Sequence, residues 1–187
     1  GVFPWNTIVA FIFIYLSEER GYEQSQVLMT MGPAIIVLAL AYPLGGALGD
    51  FFFKKTKKGR VLVALTGVLT GALLLFITMN IPAESRMLFG VGLCLTAIFI
   101  PMSSPNVTST VNDVVLPEIR STAIAIQYFI ESSGAALAPL ITGLLADSLR
   151  RSSNPSPRGS AILLICISAW ILCGLFYFFM SKTIVRD

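Results

Sequence analysis

The sequence predicts an all-α integral membrane protein with six spanning helices. Three observations carry that expectation. Of 187 residues, 55% are apolar and 12% charged, where a soluble domain carries about 25% charged residues. The mean hydropathy is +0.81. Charge clusters and Gly/Pro punctuation cut the chain into six apolar segments, most of them near the ~20 residues that cross a bilayer. Six segments and their short connections use nearly the whole chain, so no room remains for a soluble domain.

The first segment, residues 2–17, is short for a span. Trp5 and Asn6 stand at its start, where a Trp either anchors at the interface or lines a cavity. The chain opens on Gly-Val-Phe-Pro rather than Met and has no basic signal-peptide region, which reads as a sequence joined part-way through a longer protein. A polar stretch, 18–26, follows. The second segment, 27–49, holds Pro33 and Pro43 and leads into a basic loop with Asp50, Lys54, Lys55, Lys57, Lys58, Gly59 and Arg60. The third, 61–79, carries Gly67 and Gly71, a small-residue spacing that lets helices approach closely.

The fourth segment, 87–115, contains Pro101 and Pro105. Its Ser103, Asn106, Thr110 and Asp113 are spaced by three, four and three, and so share one helical face. The fifth, 121–146, holds Pro139 and places Gln127 and Glu131 one turn apart. The sixth, 160–180, is almost purely apolar like the third, and both are expected to face lipid. A polar stripe in lipid must instead face a cavity or other protein. The prolines serve either as packing kinks or as bends in a bundle that opens and closes.

Thirteen Lys plus Arg against ten Asp plus Glu exclude a disordered segment and a basic nucleic-acid-binding domain. The three cysteines, Cys94, Cys166 and Cys173, lie in apolar runs with no CxxC pair, and the chain has no His. No metal site, cofactor or enzyme motif is expected. The Asn106-Val107-Thr108 sequon lies in an apolar run and is discounted. Proton chemistry falls to a carboxylate.

Glu131 is the sharpest candidate: about 11 residues into its helix, it sits roughly 16 Å deep. There a bare carboxylate is costly. It either couples proton movement or sits neutral, hydrogen-bonded to Gln127 or a facing helix. Ser103, Asn106 and Gln127 either bind substrate or bond between helices. Lys and Arg fall eight against five on the side of the 54–60 loop, which places that loop in the cytoplasm of a plasma or inner membrane. The eight include Lys182 and Arg186.

Three stretches in register resemble the major facilitator superfamily. The first is Gly45-Gly46-Ala47-Leu48-Gly49-Asp50 with Gly59-Arg60, similar to the signature between the second and third helices of a six-helix half. Phe51, Phe52 and Phe53 intervene where the usual signature is tighter. The second is Pro117-Glu118-Ile119-Arg120-Ser121-Thr122-Ala123. The third runs from Gly134 through Pro139 and Gly143 to Asp147. The long basic loop and Asn112-Asp113 look closest to the spinster-like branch.

A complete member has two six-helix halves. The resemblance implies one half here, with the start of the first segment resembling a C-terminal half and an N-terminal half also open. A second half, either an N-terminal one or a second copy, would be the partner. The resemblance further implies a secondary transporter moving a small organic or amphipathic, lipid-like solute by alternating access with proton coupling. Gly46, Asp50, Lys54, Lys55, Gly59 and Arg60 would form a gate, or set topology and attract anionic lipid. Asp113 and Arg120 would pair across the next turn. The rival reading is a non-transporting membrane subunit or scaffold.

Overall fold

The structure is a computed structural model that describes residues 2–183, with only the backbone of Val2. Arg186, counted above among the cytoplasmic cations, lies outside the described residues. Helix α1 (Val2–Ile14) continues as a π-helical turn, Tyr15–Glu19. Then come α2 (Gln24–Phe53), α3 (Gly59–Met79), α4 (Arg86–Phe99), α5 (Ser103–Val114), α6 (Arg120–Arg151) and α7 (Pro157–Thr183). A 3₁₀ turn, Ile100–Met102, joins α4 to α5 where Pro101 interrupts the backbone ladder. They form one bent span, so the bundle has six spans. Five of them are long and apolar enough to cross a membrane; α1 with its π turn is shorter.

Several expected boundaries move outward. The helix α2 runs on through Phe51, Phe52 and Phe53, so residues 54–58 alone connect it to α3. Glu23 opens α2 with a reciprocal capping box, its side chain taking the Gln26 amide while Gln26 returns a bond to the Glu23 N–H. Pro33 and Pro43 lie inside α2 and Pro139 inside α6 without ending either helix.

The spans pack as two interleaved triplets. The first span lies against the fifth, α2 against α4, and α3 against α7. Exchanging spans one to three with four to six reproduces this set of neighbours. That is the arrangement of an inverted repeat, in which each triplet buries its apolar face against the other. The core joins Ile12, Leu16, Met31, Val68, Leu75, Phe89, Ile162 and Trp170.

The third span was expected to face lipid. It is instead the most enclosed, with half of its apolar window buried against 28% for α7. The cause is its glycines. A β-carbon on Gly67 would stand 3.0 Å from Met102 Cβ and 3.2 Å from the Phe99 carbonyl oxygen, so the bare backbone seats the α4–α5 bend.

Candidate functional site

Two groups of polar residues stand out from the apolar bundle. The first lies at depth. Gln127 Nε2 donates to Glu131 Oε1 at 3.3 Å along α6 and approaches Thr108 Oγ1 of α5 at 3.4 Å. The Gln127 Oε1 is buried and without a partner. Glu131 is half-buried and stands within electrostatic range of Tyr177 on α7. Tyr177 in turn sits beside the buried hydroxyl of Ser103. Residues of three spans thus gather around the Gln127–Glu131 pair. The arrangement sets a carboxyl group beside an amide oxygen that is open to a hydrogen-bond donor.

The other candidates at this level separate. Asn106 was a candidate substrate ligand, but it is 2% exposed and bonds between helices. Its Nδ2 donates to the Gly45 carbonyl of α2 at 2.9 Å and to the Met102 carbonyl at 2.7 Å. Gly49 makes room for it, and Gly45 makes room for the neighbouring Met102. Ser103 and Thr110 are buried on the same inward face, so the polar stripe of the fourth segment mostly meets protein. Asn6 is half-buried on α1. Trp5 beside it lines a small cavity of about 60 Å³ with Tyr42, Ser103 and Ser104.

The second group caps one end of the bundle. Arg60, in the first turn of α3, bonds Asp50 of α2 through Nε at 3.0 Å and Nη2 at 2.7 Å. Its Nη1 bonds Asp113 at the end of α5. The pairing of Asp113 with Arg120 expected from sequence is therefore replaced. Arg60 crosses between spans to take Asp113, and Arg120 is exposed and makes no ion pair among the described residues. The three phenylalanines belong to this group as well. Phe53 lies under the Arg60 guanidinium at 4.3 Å, and Phe51 under the Lys55 ammonium at 4.4 Å. Gly59 lies against the Phe52 backbone, where a β-carbon would overlap it. Gly46 faces Pro105, and Lys54 is exposed.

This end group, the bent fourth span and the interleaved triplets stand on a sequence that the profile of the Major Facilitator Superfamily matches over residues 2–185. The chain belongs to that superfamily. It is a multi-pass integral membrane protein of a transporter family, not an enzyme. Among curated proteins it is 28% identical over 185 residues to an MFS-type efflux pump of Mycolicibacterium smegmatis. The match covers 97% of this chain and 42% of that relative. Among solved structures it superposes on the crystal structure of tetrameric PepTSo2 with a TM-score of 0.77 at 18% identity. That match covers 97% of this chain and 37% of the other, and shows the fold alone. The chain therefore spans less than half the length of these two proteins. The named relative is an efflux pump, and nothing in the comparisons supports the spinster-like branch.

Sequence reasoning passed over the opposite end of this superfamily half, grouping it into a polar stretch. There Glu19 accepts the N–H groups of Arg158 at 2.7 Å and Gly159 at 3.1 Å, and the Ser156 hydroxyl at 2.6 Å. It fills the unpaired amides at the start of α7, where a negative charge is favoured. Arg158 pairs with Glu18. Arg20, 8% exposed, donates to the carbonyls of Ile81 at 2.6 Å and Pro82 at 2.8 Å and lies 4.0 Å above the Phe89 ring. The available signal was three consecutive charges closing an apolar run. Tyr177 was also passed over, as the polar-tipped residue of an otherwise apolar helix.

Proposed function

We propose that the chain is one six-helix half, the C-terminal one, of a secondary transporter. It moves a small organic or amphipathic, lipid-like solute by alternating access and couples that movement to protons through Glu131. Its partner is a second six-helix half, and the 54–60 loop faces the cytoplasm. The observation that carries this reading is the setting of Glu131. Among the described residues it is the one acid deep within a span; Gln127, itself beside Thr108, bonds it, and Tyr177 stands within electrostatic range. A carboxyl group in that position is costly unless its charge is neutralised or used.

Superfamily membership and the efflux-pump relative support transport as the activity. Alternating access follows from two such halves rocking about a site between them. Glu131, Gln127 and Asn6 would face that site, with Ser103 buried behind it against Tyr177, and the Arg60 group would secure the cytoplasmic end.

The test is solute movement by the intact polypeptide in vesicles, with and without a pH gradient. Wild-type protein is expected to respond to the gradient, and Glu131→Gln is expected to transport at a gradient-independent rate. Unchanged gradient dependence in Glu131→Gln would overturn the coupling role. A folded wild-type protein that moves no solute under either condition would favour the scaffold reading.

A further inference from the structure

A cleft of about 600 Å³ runs between α2 and α4, away from Glu131 and at the end of the bundle opposite Arg60. This volume is that of a typical ligand site. Along α2 it extends from Gln26 to Val37, and along α4 from Arg86 to Ile98. At 1.5 Å per residue the cleft is about 16 to 18 Å long. The hydrocarbon of one leaflet is about 15 Å deep, half of the ~30 Å core. Its inner length is lined by side chains such as Pro33, Val37, Cys94 and Ile98.

The mouth has a different chemistry. Arg86 is exposed there, 5.3 Å above the Tyr22 ring, and makes no ion pair among the described residues. Tyr22 lines the same mouth, is 4% exposed, and carries a buried hydroxyl with no hydrogen-bond partner. Behind it the Arg20 guanidinium lies 5.9 Å from the same ring. Two cations thus lie against the ring that carries an unpartnered hydroxyl, at the head of an apolar slot one leaflet deep. A buried hydroxyl without a partner in the protein is available to an acceptor from outside the chain.

We propose that this cleft binds an anionic membrane lipid, with its headgroup at Arg86 and Tyr22 and one acyl chain lying between α2 and α4. Arg86 supplies charge and a planar donor pair suited to a phosphodiester. The slot shields the chain from the rest of the leaflet. The inference does not depend on Glu131 or on the identity of any transported solute.

The test is photo-crosslinking of the intact polypeptide in phosphatidylcholine vesicles doped with a phosphatidylglycerol whose acyl chain carries a diazirine. The same diazirine chain on phosphatidylcholine is the comparison. Mass spectrometry of the digested protein locates the labelled peptides. Labelling within residues 26–37 and 86–98 is expected to favour phosphatidylglycerol by about tenfold, the worth of one charge-assisted hydrogen bond. Arg86→Gln, at an exposed site, is expected to remove that preference. Arg151→Gln, an exposed cation elsewhere on the same face, is expected to keep it. Gly90→Leu should fill the slot, since a β-carbon there meets only Thr30 Cγ2 at 3.8 Å, and should abolish labelling by both lipids. Equal labelling by the two headgroups, or an equal loss in Arg86→Gln and Arg151→Gln, would overturn the proposal. So would an unlabelled cleft in the wild-type protein, which would mean that the second half covers it.

Discussion

Asn106 occupies the space that Gly49 leaves empty. The amide oxygen of one stands where the β-carbon of any other residue would have to sit, and its nitrogen holds the Gly45 carbonyl one turn away. Gly49→Ala is therefore expected to destabilise the bundle by about 2 kcal/mol or more, the range of core overpacking. Asn106→Ala removes the obstruction and the interhelical bond together. The double variant should be more stable than the sum of the single losses predicts, by a thermal unfolding cycle in detergent. Strict additivity would mean the two residues do not share this space.

Arg60 holds two acids from two different spans, which requires its planar fork. A lysine has one compact charge and cannot take both in the same geometry. Arg60→Lys is expected to lower stability by about 1 kcal/mol, a value kept small because both acids are exposed. The deficit should shrink as ionic strength rises. A wild-type unfolding midpoint in Arg60→Lys at low salt would contradict this.

Glu19 accepts from two backbone amides and one hydroxyl at the start of α7. Glu19→Ala leaves all three unmet and is expected to cost about 2 kcal/mol, the upper range for loss of a helix cap. Hydrogen exchange should speed up selectively at the amides of Arg158 and Gly159. Uniform acceleration along α7 would point to global unfolding instead.

Thr7 and Thr142 face each other with their hydroxyl oxygens 3.1 Å apart, and both are fully buried between α1 and α6. Thr142→Val is expected to cost about 0.6 kcal/mol, the average worth of a polar contact between membrane helices. Because Thr142 also donates back to the Ala138 carbonyl at 2.7 Å, Thr7→Val should cost less than Thr142→Val. The order of the two midpoints checks this.

What the sequence disclosed follows the range of the forces involved. Segment count came from hydropathy, because lipid imposes a minimum length on each apolar run. The acid and arginine at positions 50 and 60 were visible as a motif because a short connection joins them. Asp113 was assigned to Arg120, its neighbour in sequence, whereas its partner lies 53 residues away and is reached only when α3 packs on α5. Helical periodicity put Ser103, Asn106 and Thr110 on one face. It said nothing of what that face meets, which for Asn106 is the glycine-lined side of α2 and for Ser103 is Tyr177 of α7. The enclosure of the third span was hidden for a similar reason, since an all-apolar helix reads the same in lipid as in protein. Glu19 and Arg20 looked like loop polarity because their partners are mostly backbone atoms, which no side-chain pattern announces.

The inverted exchange of spans has a mechanical side. Arg60 fastens the second, third and fourth spans at one end. Glu18, Glu19 and Arg20 fasten the first span to α7 and to the α3–α4 connection at the other. These two sets of bonds, with the α3–α7 seam between them, tie the spans together at both rims. Under the proposed function, rocking would then be concentrated where this bundle meets the second half rather than within the bundle itself.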